Sequence, residues 1–251
     1  MFARLVDNMK IHILGLFPDI LDHYFSQSLL GKARDKGIVE FLYHQLRDWA
    51  VNDYGMVDDK PYGGTAGMVF RPDAVCRAVR ELKQKHAVKK VILTSPAGKL
   101  LTAQKARELS KEESVLFLCG RYEGVDQRAI DLVVDEEISI GDYVLSGGEL
   151  AAGVIVDTMC RYIPGVVGDQ QSVDEDSHEN GLLEYPQYTR PETFENSVVP
   201  EVLLSGNHKN IEEWRRREAI RRTWSRRPDL LKKAQLSKEE LEYIKDLIHK
   251  R

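Results

Sequence analysis

Ser139-Ile140-Gly141-Asp142-Tyr143-Val144-Leu145-Ser146-Gly147-Gly148-Glu149 joins a strand-like apolar end to the start of a helix through glycines and hydroxyls. Ile138 and Ile140 alternate with polar neighbours as a strand would, and Ser146 with Glu149 has the S-x-x-E form of a capping box. Gly141, Gly147 and Gly148 permit positive φ or the close approach of a ligand, so main-chain N–H and C=O groups there are free to bond something flat and polar. Taken alone, the run fits a tight strand-to-helix connection as well as it fits a small-molecule cradle.

Outward from this run, strand and helix signals alternate. Apolar, β-branched runs occur at Lys10–Leu16, Val39–Tyr43, Lys90–Thr94, Val115–Cys119 and Glu137–Ile140, each followed by a helical pattern. After Arg71, Pro72 suits a first helical turn, and Ala74, Val75, Ala78, Val79 and Leu82 form one apolar stripe. The alternation predicts an α/β domain, a parallel sheet with helices on both faces. Ligands in such sheets bind beyond the carboxyl ends of the strands. Thr94-Ser95-Pro96, Gly120-Arg121-Tyr122-Glu123-Gly124 and the 139–149 run all fall there, which favours one shared pocket over three unrelated turns.

A helix predicted from Glu149 to Arg161 is stopped by Pro164-Gly165. Residues 169–180 then hold five acidic side chains and only one aliphatic residue, Val173, as a linker would. The predicted organisation is an α/β domain over 1–168, an acidic linker over 169–185 and a small all-helical domain over 186–251. In the last of these, Ile211–Ser225 carries Trp214 and Trp224, with apolar residues that make no single stripe, so it is expected to be held from more than one side. Ser237-Lys238-Glu239-Glu240 is a second capping box, opening a final helix through Ile248.

Composition narrows the chemistry. The 251 residues are 42% hydrophobic and 30% charged, with no apolar run near the roughly 18 residues that span a bilayer and no signal-peptide pattern; residues 1–8 read as a short extension ahead of Met9. Cys76, Cys119 and Cys160 make neither a disulfide framework nor a metal knuckle and read as reduced core residues of a cytoplasmic protein. The seven histidines show no zinc-hydrolase or deaminase pairing, so no metal is expected. No lysine follows Gly63-Gly64-Thr65-Ala66-Gly67 at phosphate-loop spacing, and no G-x-G-x-x-G follows the first strand, which argues against NTPases and Rossmann dehydrogenases. The net charge of −4 hides an asymmetry: Gly206–Arg251 holds 14 Lys/Arg against 8 Asp/Glu, the preceding 205 residues 22 against 32. Such a basic tail fits a module that meets a polyanion, or a solvated helical face.

Six motifs together resemble one family. Gly120–Gly124, Ser139–Glu149, Arg161-Tyr162-Ile163-Pro164-Gly165, Glu175-Asp176-Ser177, Tyr188-Thr189-Arg190-Pro191 and Val202–His208 are similar, in order and spacing, to bacterial tRNA (guanine-N1)-methyltransferases of the SPOUT superfamily. The resemblance runs from about Met9 to Leu231. It implies a deep trefoil knot, S-adenosylmethionine as methyl donor, tRNA as partner and a homodimer whose active site is shared between protomers. The implied product is N1-methylguanosine immediately 3′ of the anticodon. Removing the proton on guanine N1 calls for a general base, and the charge gathering at O6 calls for a cation. By resemblance these are Asp176 and Arg161, with Ser177 assisting. On the residues alone the better readings are a solvated linker carboxylate and a helix-end arginine favoured by the dipole.

For the cofactor the resemblance points to Ser95, Pro96, Gly120, Tyr122, Glu123, Ile140, Gly141, Asp142, Tyr143, Val144, Leu145, Gly147 and Gly148. Arg190, His208, Arg215, Arg216, Arg217, Arg221 and Arg222 are the RNA-binding candidates, with phosphate contacts fixing register. Magnesium is compatible with the chemistry, although no ligand cluster fixes it. Three positions depart from the family pattern: Thr65 for glycine, Glu184 for aspartate and Gln187 for histidine. The rival readings are a SPOUT enzyme acting on another RNA position and a non-catalytic RNA-binding dimer.

Overall fold

The computed structural model describes residues 8–168 and 176–249. Most of the expected N-terminal extension and the 169–175 part of the acidic stretch, Glu175 included, therefore lie outside the described residues. The chain divides into two compact units, Met1–Gly168 and Asp169–Arg251.

The first unit is built on five parallel strands. They are β1 (Met9–Gly15), β2 (Val39–Gln45), β5 (Lys90–Leu100), β6 (Ser114–Cys119) and β7 (Glu136–Ser139), in the spatial order β2-β1-β6-β5-β7. Two-residue strands β3 (Asp58–Asp59) and β4 (Val69–Phe70) pair separately. Alternation along the central strands sends side chains to opposite faces. Ile11, Ile13, Ile92, Val115, Phe117 and Cys119 enter one core. Leu14, Leu16, Val91, Leu93, Leu116 and Leu118 enter the other.

Helices cover both faces, as the alternation predicts. The first core is closed by α1 (Asp22–Phe25), α2 (Ser28–Asp35), α4 (Ala103–Leu109) and α6 (Glu149–Cys160). The second is closed by α3 (Pro72–His86) and α5 (Gln127–Val133). In α3 the expected stripe, Ala74, Val75, Ala78, Val79 and Leu82, is buried, each larger side chain contributing about 1.5–3 kcal/mol by leaving water. All three cysteines are buried and unbridged.

Two elements differ from the sequence reading in this unit. Strand β5 runs six residues past Thr94, because Leu100 and Lys99 rejoin β7 after an irregularity. Ser146 does not cap α6: the N-cap is Gly148, with no side-chain cap bond, because the Glu149 carboxylate is drawn elsewhere.

The C-terminal unit is not all helical, which corrects the expectation. Strands β8 (Thr193–Phe194) and β9 (Ser197–Val198) form a small antiparallel hairpin. Its two-residue loop is possible because Glu195 adopts φ +54°, a conformation such tight turns require. Three helices follow, α7 (Glu201–Leu204), α8 (His208–Arg226) and α9 (Lys238–His249). Leu182, inside the stretch expected as linker, is buried against Ala219 and Ile220 of α8, with Tyr185, Leu231, Tyr243 and Ile244 around them. Helix α8 is thus held from several sides. At α9 the capping box forms reciprocally: Ser237 N–H donates to Glu240 Oε2 at 2.8 Å and Glu240 N–H to Ser237 Oγ at 3.2 Å.

Among the described residues no helix is long and apolar enough to cross a membrane.

Candidate active site

A bulge within β5 and the loops that follow β6 and β7 enclose a cavity of about 470 Å³. That is where an open parallel sheet offers a crevice, and the size suits a small organic ligand, roughly 300–1,000 Å³.

The first wall follows Thr94. Thr94 and Lys99 both oppose Ile138 of β7, so Ser95 to Gly98 are extruded from the ladder into the cavity wall. Gly98 then lies so close to β7 that an added Cβ would stand 2.5 Å from the backbone of Glu137 and Ile138.

The second wall is the turn after β6, closed by Gly124 N–H to Arg121 C=O at 3.0 Å. It holds Tyr122 at φ +59°, where non-glycine residues are uncommon. Phe70 braces Tyr122 edge-on, ring centroids 6.2 Å apart.

The third wall is the 139–148 run. Ser139 Oγ accepts from Gly141 N–H at 3.2 Å, Tyr143 hydroxyl donates to Ile140 C=O at 3.3 Å, and the Tyr143 ring lies against Gly141. Gly148 N–H donates to Gly120 C=O at 2.8 Å, fastening the third wall to the second. Every cofactor residue expected from the sequence lines the cavity except Asp142. Exposed apolar groups stand at its mouth, Tyr122, Tyr143 and Val144 among them.

Thr94 and Arg121, which the sequence places in the pocket loops but not among the cofactor residues, also line it, as do Gln127 and Ile130, which the sequence reading missed. It also misread Glu149. This carboxylate, 2% exposed, accepts from Arg121 Nε at 3.1 Å and from Phe17 N–H at 3.3 Å. The only signal for Arg121 was its place inside the Gly120–Gly124 motif.

Cysteine nucleophiles are unsuited here. Burial, with the Glu149 carboxylate next, pushes the Cys119 thiol well above its usual range, and burial with Asp157 pushes Cys160 up to about 12. Among the described residues no group of three or more His, Cys, Asp or Glu side chains is placed to hold a metal ion.

Arg161 is not at this cavity. It caps the carboxyl end of α6, whereas Gly147 and Gly148 at the amino end form the cavity wall. Twelve helical residues separate them, roughly 18 Å along the axis at 1.5 Å per residue.

Asp176 and Ser177 belong to the other unit. Both are half-buried, in a turn where Ser177 Oγ accepts from Glu184 N–H at 2.9 Å and Asp176 C=O from Glu179 N–H at 3.4 Å. Leu183 N–H, donating to Thr223 Oγ1 at 2.8 Å, ties the segment after this turn to α8.

The basic candidates of α8 fall into different environments. Arg216 is engaged by Glu240, at 2.6 and 3.2 Å, and by Gln235 C=O. Arg221 is held by Glu218 of its own helix at 2.5 Å. Arg215 lies over the Tyr185 ring at 4.9 Å, and Arg222 is half-buried. Arg217 is exposed, pairing with Glu213 at 3.9 Å and lying over the Tyr243 ring at 5.6 Å. Arg190 and His208 are exposed, the latter at the first position of α8.

Comparison with known proteins adds a family to this geometry. The family described as tRNA (Guanine-1)-methyltransferase TrmD matches residues 9–233. A protein of Citrifermentans bemidjiense named tRNA (guanine-N(1)-)-methyltransferase is 50% identical over 232 residues, covering 92% of this chain and 93% of its own. Proteins of the same name from Syntrophotalea carbinolica and Bacillus cereus are 49% and 50% identical, each covering 95% of this chain and 96% and 98% of their own length.

Proposed function

The chain belongs to the tRNA (guanine-N1)-methyltransferase family and is an enzyme of that activity; from this premise we propose that it methylates N1 of the guanosine 3′ of the anticodon, with S-adenosylmethionine as donor. The observation that carries the proposal is the cavity at the ends of β5, β6 and β7. Its residues fit the donor. Ile138, Ile140, Tyr143 and Leu145 offer apolar surface for an adenine, while Gly120, Gly147 and Gly148 keep the backbone bare for polar contacts. When bound, S-adenosylmethionine supplies a methyl group on a positively charged sulfur.

This chain's residues have three tasks in that chemistry. The Asp176 carboxylate accepts the proton from guanine N1, exposing the lone pair that attacks. The Arg161 guanidinium donates to O6, where negative charge gathers as the proton leaves. Ser177, hydrogen-bonded to Glu184 N–H, steadies the turn that carries Asp176. The cavity walls orient the reacting groups, the largest saving available in a displacement with little other covalent chemistry.

Arg161 stands roughly 18 Å along α6 from the cavity of its own chain, too far to touch a base held there. We therefore propose a homodimer in which Arg161 and Asp176 of one copy serve the cavity of the other. The trefoil knot, action in the cytoplasm, and a 169–185 segment connecting cofactor-binding and RNA-binding domains belong to the same proposal. Arg190, His208, Arg215, Arg217 and Arg222 contact the tRNA backbone; Arg216 and Arg221 exchange their carboxylate partners for phosphate or hold α8 in place. Magnesium is compatible with this scheme, and no residue is assigned to it.

The test is to incubate the protein with methyl-labelled S-adenosylmethionine and an anticodon stem-loop bearing guanosine at the target, then map the product. N1-methylguanosine is expected, with the rate lowered about 10²–10⁴-fold in Asp176→Asn. Label on another atom, or full activity in Asp176→Asn, overturns the mechanism.

A further inference from the structure

Glu149 is a charged side chain buried just behind the cavity wall, and the methyl-transfer chemistry makes no use of it. Its carboxylate sits where the ends of β1 and β6 meet the start of α6. Phe17 N–H and Arg121 Nε both donate to Oε1, and the Arg121 guanidinium lies over the Phe17 ring, 4.5 Å from its centroid. Oε2 is buried with no hydrogen-bond donor among the described residues. The negative charge is thus compensated by Arg121, one peptide N–H and the positive end of α6.

Arg121 is the link from that charge to the ligand side. Its side chain is 22% exposed, the residue lines the cavity, and its backbone bridges Gly147 across the second and third walls. The ion pair also presses on the third wall directly: an added Cβ on Gly147 would lie 2.5 Å from Glu149 Oε2 and 2.9 Å from the Arg121 guanidinium. One carboxylate therefore contacts the groups that set the separation of two walls.

We infer that Glu149 is a positioning residue for the cofactor pocket, holding Arg121 so that the Gly120–Gly124 turn and the Gly147-Gly148 turn stay in register around the ligand. The inference rests on the proposed use of this cavity for S-adenosylmethionine. Glutamine at 149 keeps the shape but loses the charge that holds Arg121, so the walls loosen and binding weakens before the chemistry is affected.

The test is calorimetric binding of S-adenosylhomocysteine to wild type, Glu149→Gln, Arg121→Gln and the double variant, with steady-state kinetics beside it. Glu149→Gln should weaken binding roughly tenfold and raise KM for S-adenosylmethionine in step, as expected for losing a buried charge-assisted bond. The kcat at saturating donor and KM for tRNA should stay within about twofold, a split that general loosening of the fold would not give. Because Glu149 acts through Arg121, adding Glu149→Gln to Arg121→Gln should weaken binding no further. Should Glu149→Gln fail to fold, Arg121→Gln, altered at a partly exposed side chain, must itself show the loss of affinity. Unchanged affinity in the folded single variants, or additive losses in the double variant, overturns the inference alone. Wild type that does not bind S-adenosylhomocysteine overturns the cofactor reading, and this inference with it.

Discussion

At the scale of single residues, the glycines of the 139–149 run serve purposes their sequence leaves open. Gly141 does take positive φ, at +152°. Gly148 does not: at φ −79° any residue would be comfortable, and glycine is demanded by space. A Cβ there would stand 2.1 Å from Thr94 Oγ1 and 3.0 Å from Cys119 Cα and Gly120 N. Backbone atoms of a buried strand end cannot step aside, so Gly148→Ala should destabilise the protein by about 1–3 kcal/mol, read from the urea unfolding midpoint. A variant as stable as wild type would show that β6 and the third wall are less tightly apposed than this. Neighbouring side chains can hide a coupling too. Two departures from the family pattern, Glu184 and Gln187, hydrogen-bond to each other, Gln187 Nε2 donating to Glu184 Oε1. Neither position reveals that alone.

At the scale of elements, β1, β2 and the last turn of α3 bring three histidines together. His12 is fully buried, its Nδ1 lies 2.8 Å from His44 Nε2, the two rings stack at 5.1 Å, and His86 is tilted 5.0 Å from His12. Burial, then the neighbouring imidazoles and Lys10, lowers His12 from 6.5 to about 3; burial, His86 and Lys85 lower His44 to about 4. Asp48, Arg77 and Glu81 also line this end of the sheet. Both histidines stay neutral in the native state while their unfolded forms take up protons from pH 6.5 downward. Stability is therefore intact above pH 6.5, falls as pH drops below it, and stops falling for this reason once the pH passes the native values near 4 and 3. Between pH 7 and 5 these values correspond to a loss of about 4 kcal/mol for the pair, reduced by the solvent that reaches the half-buried His44 ring. Replacing His12 and His44 by leucine should flatten that limb of the unfolding profile; an unchanged slope would exclude the cluster as its cause. This cluster was not legible in the sequence, because 12 and 44 meet through strand pairing and 86 only through the packing of α3 on the sheet. The parallel strands were legible, since buried β-branched runs mark them. The extension of β5 was not, because Ser95-Pro96-Ala97-Gly98 breaks the pattern before Lys99 resumes it. The Ser146–Glu149 box failed although Ser237–Glu240 formed, because at Glu149 the half-buried Arg121 and Phe17 N–H compete for the carboxylate. The cavity was readable because three loops at three strand ends converge in any parallel sheet, whereas Arg121 gave no periodic signal.

At the scale of the whole molecule, the length of α6 makes a demand on assembly. The cavity lies at its amino end and Arg161 at its carboxyl end, so one copy does not place its own arginine on a base bound at its own cavity. A two-fold dimer meets the demand if each copy offers the far end of α6, with Asp176, to its partner. Complementation between two inactive variants distinguishes this from a site within one chain. Asp176→Asn keeps the cavity and removes the proposed base; Gly147→Trp fills the cavity and keeps the proposed base. Each alone should be inactive in methyl transfer. Mixed dimers, formed by co-expression, contain one cavity of the first variant facing an intact Asp176 of the second. If copies pair at random, half the dimers are mixed and each holds one working site of two, so activity should return to about a quarter of wild type. A site completed within each chain predicts none, because no single chain in the mixture carries both an open cavity and the base. Recovery near a quarter thus requires that the proton acceptor cross between copies, and absence of recovery in mixed dimers verified by differential tags would remove the shared site.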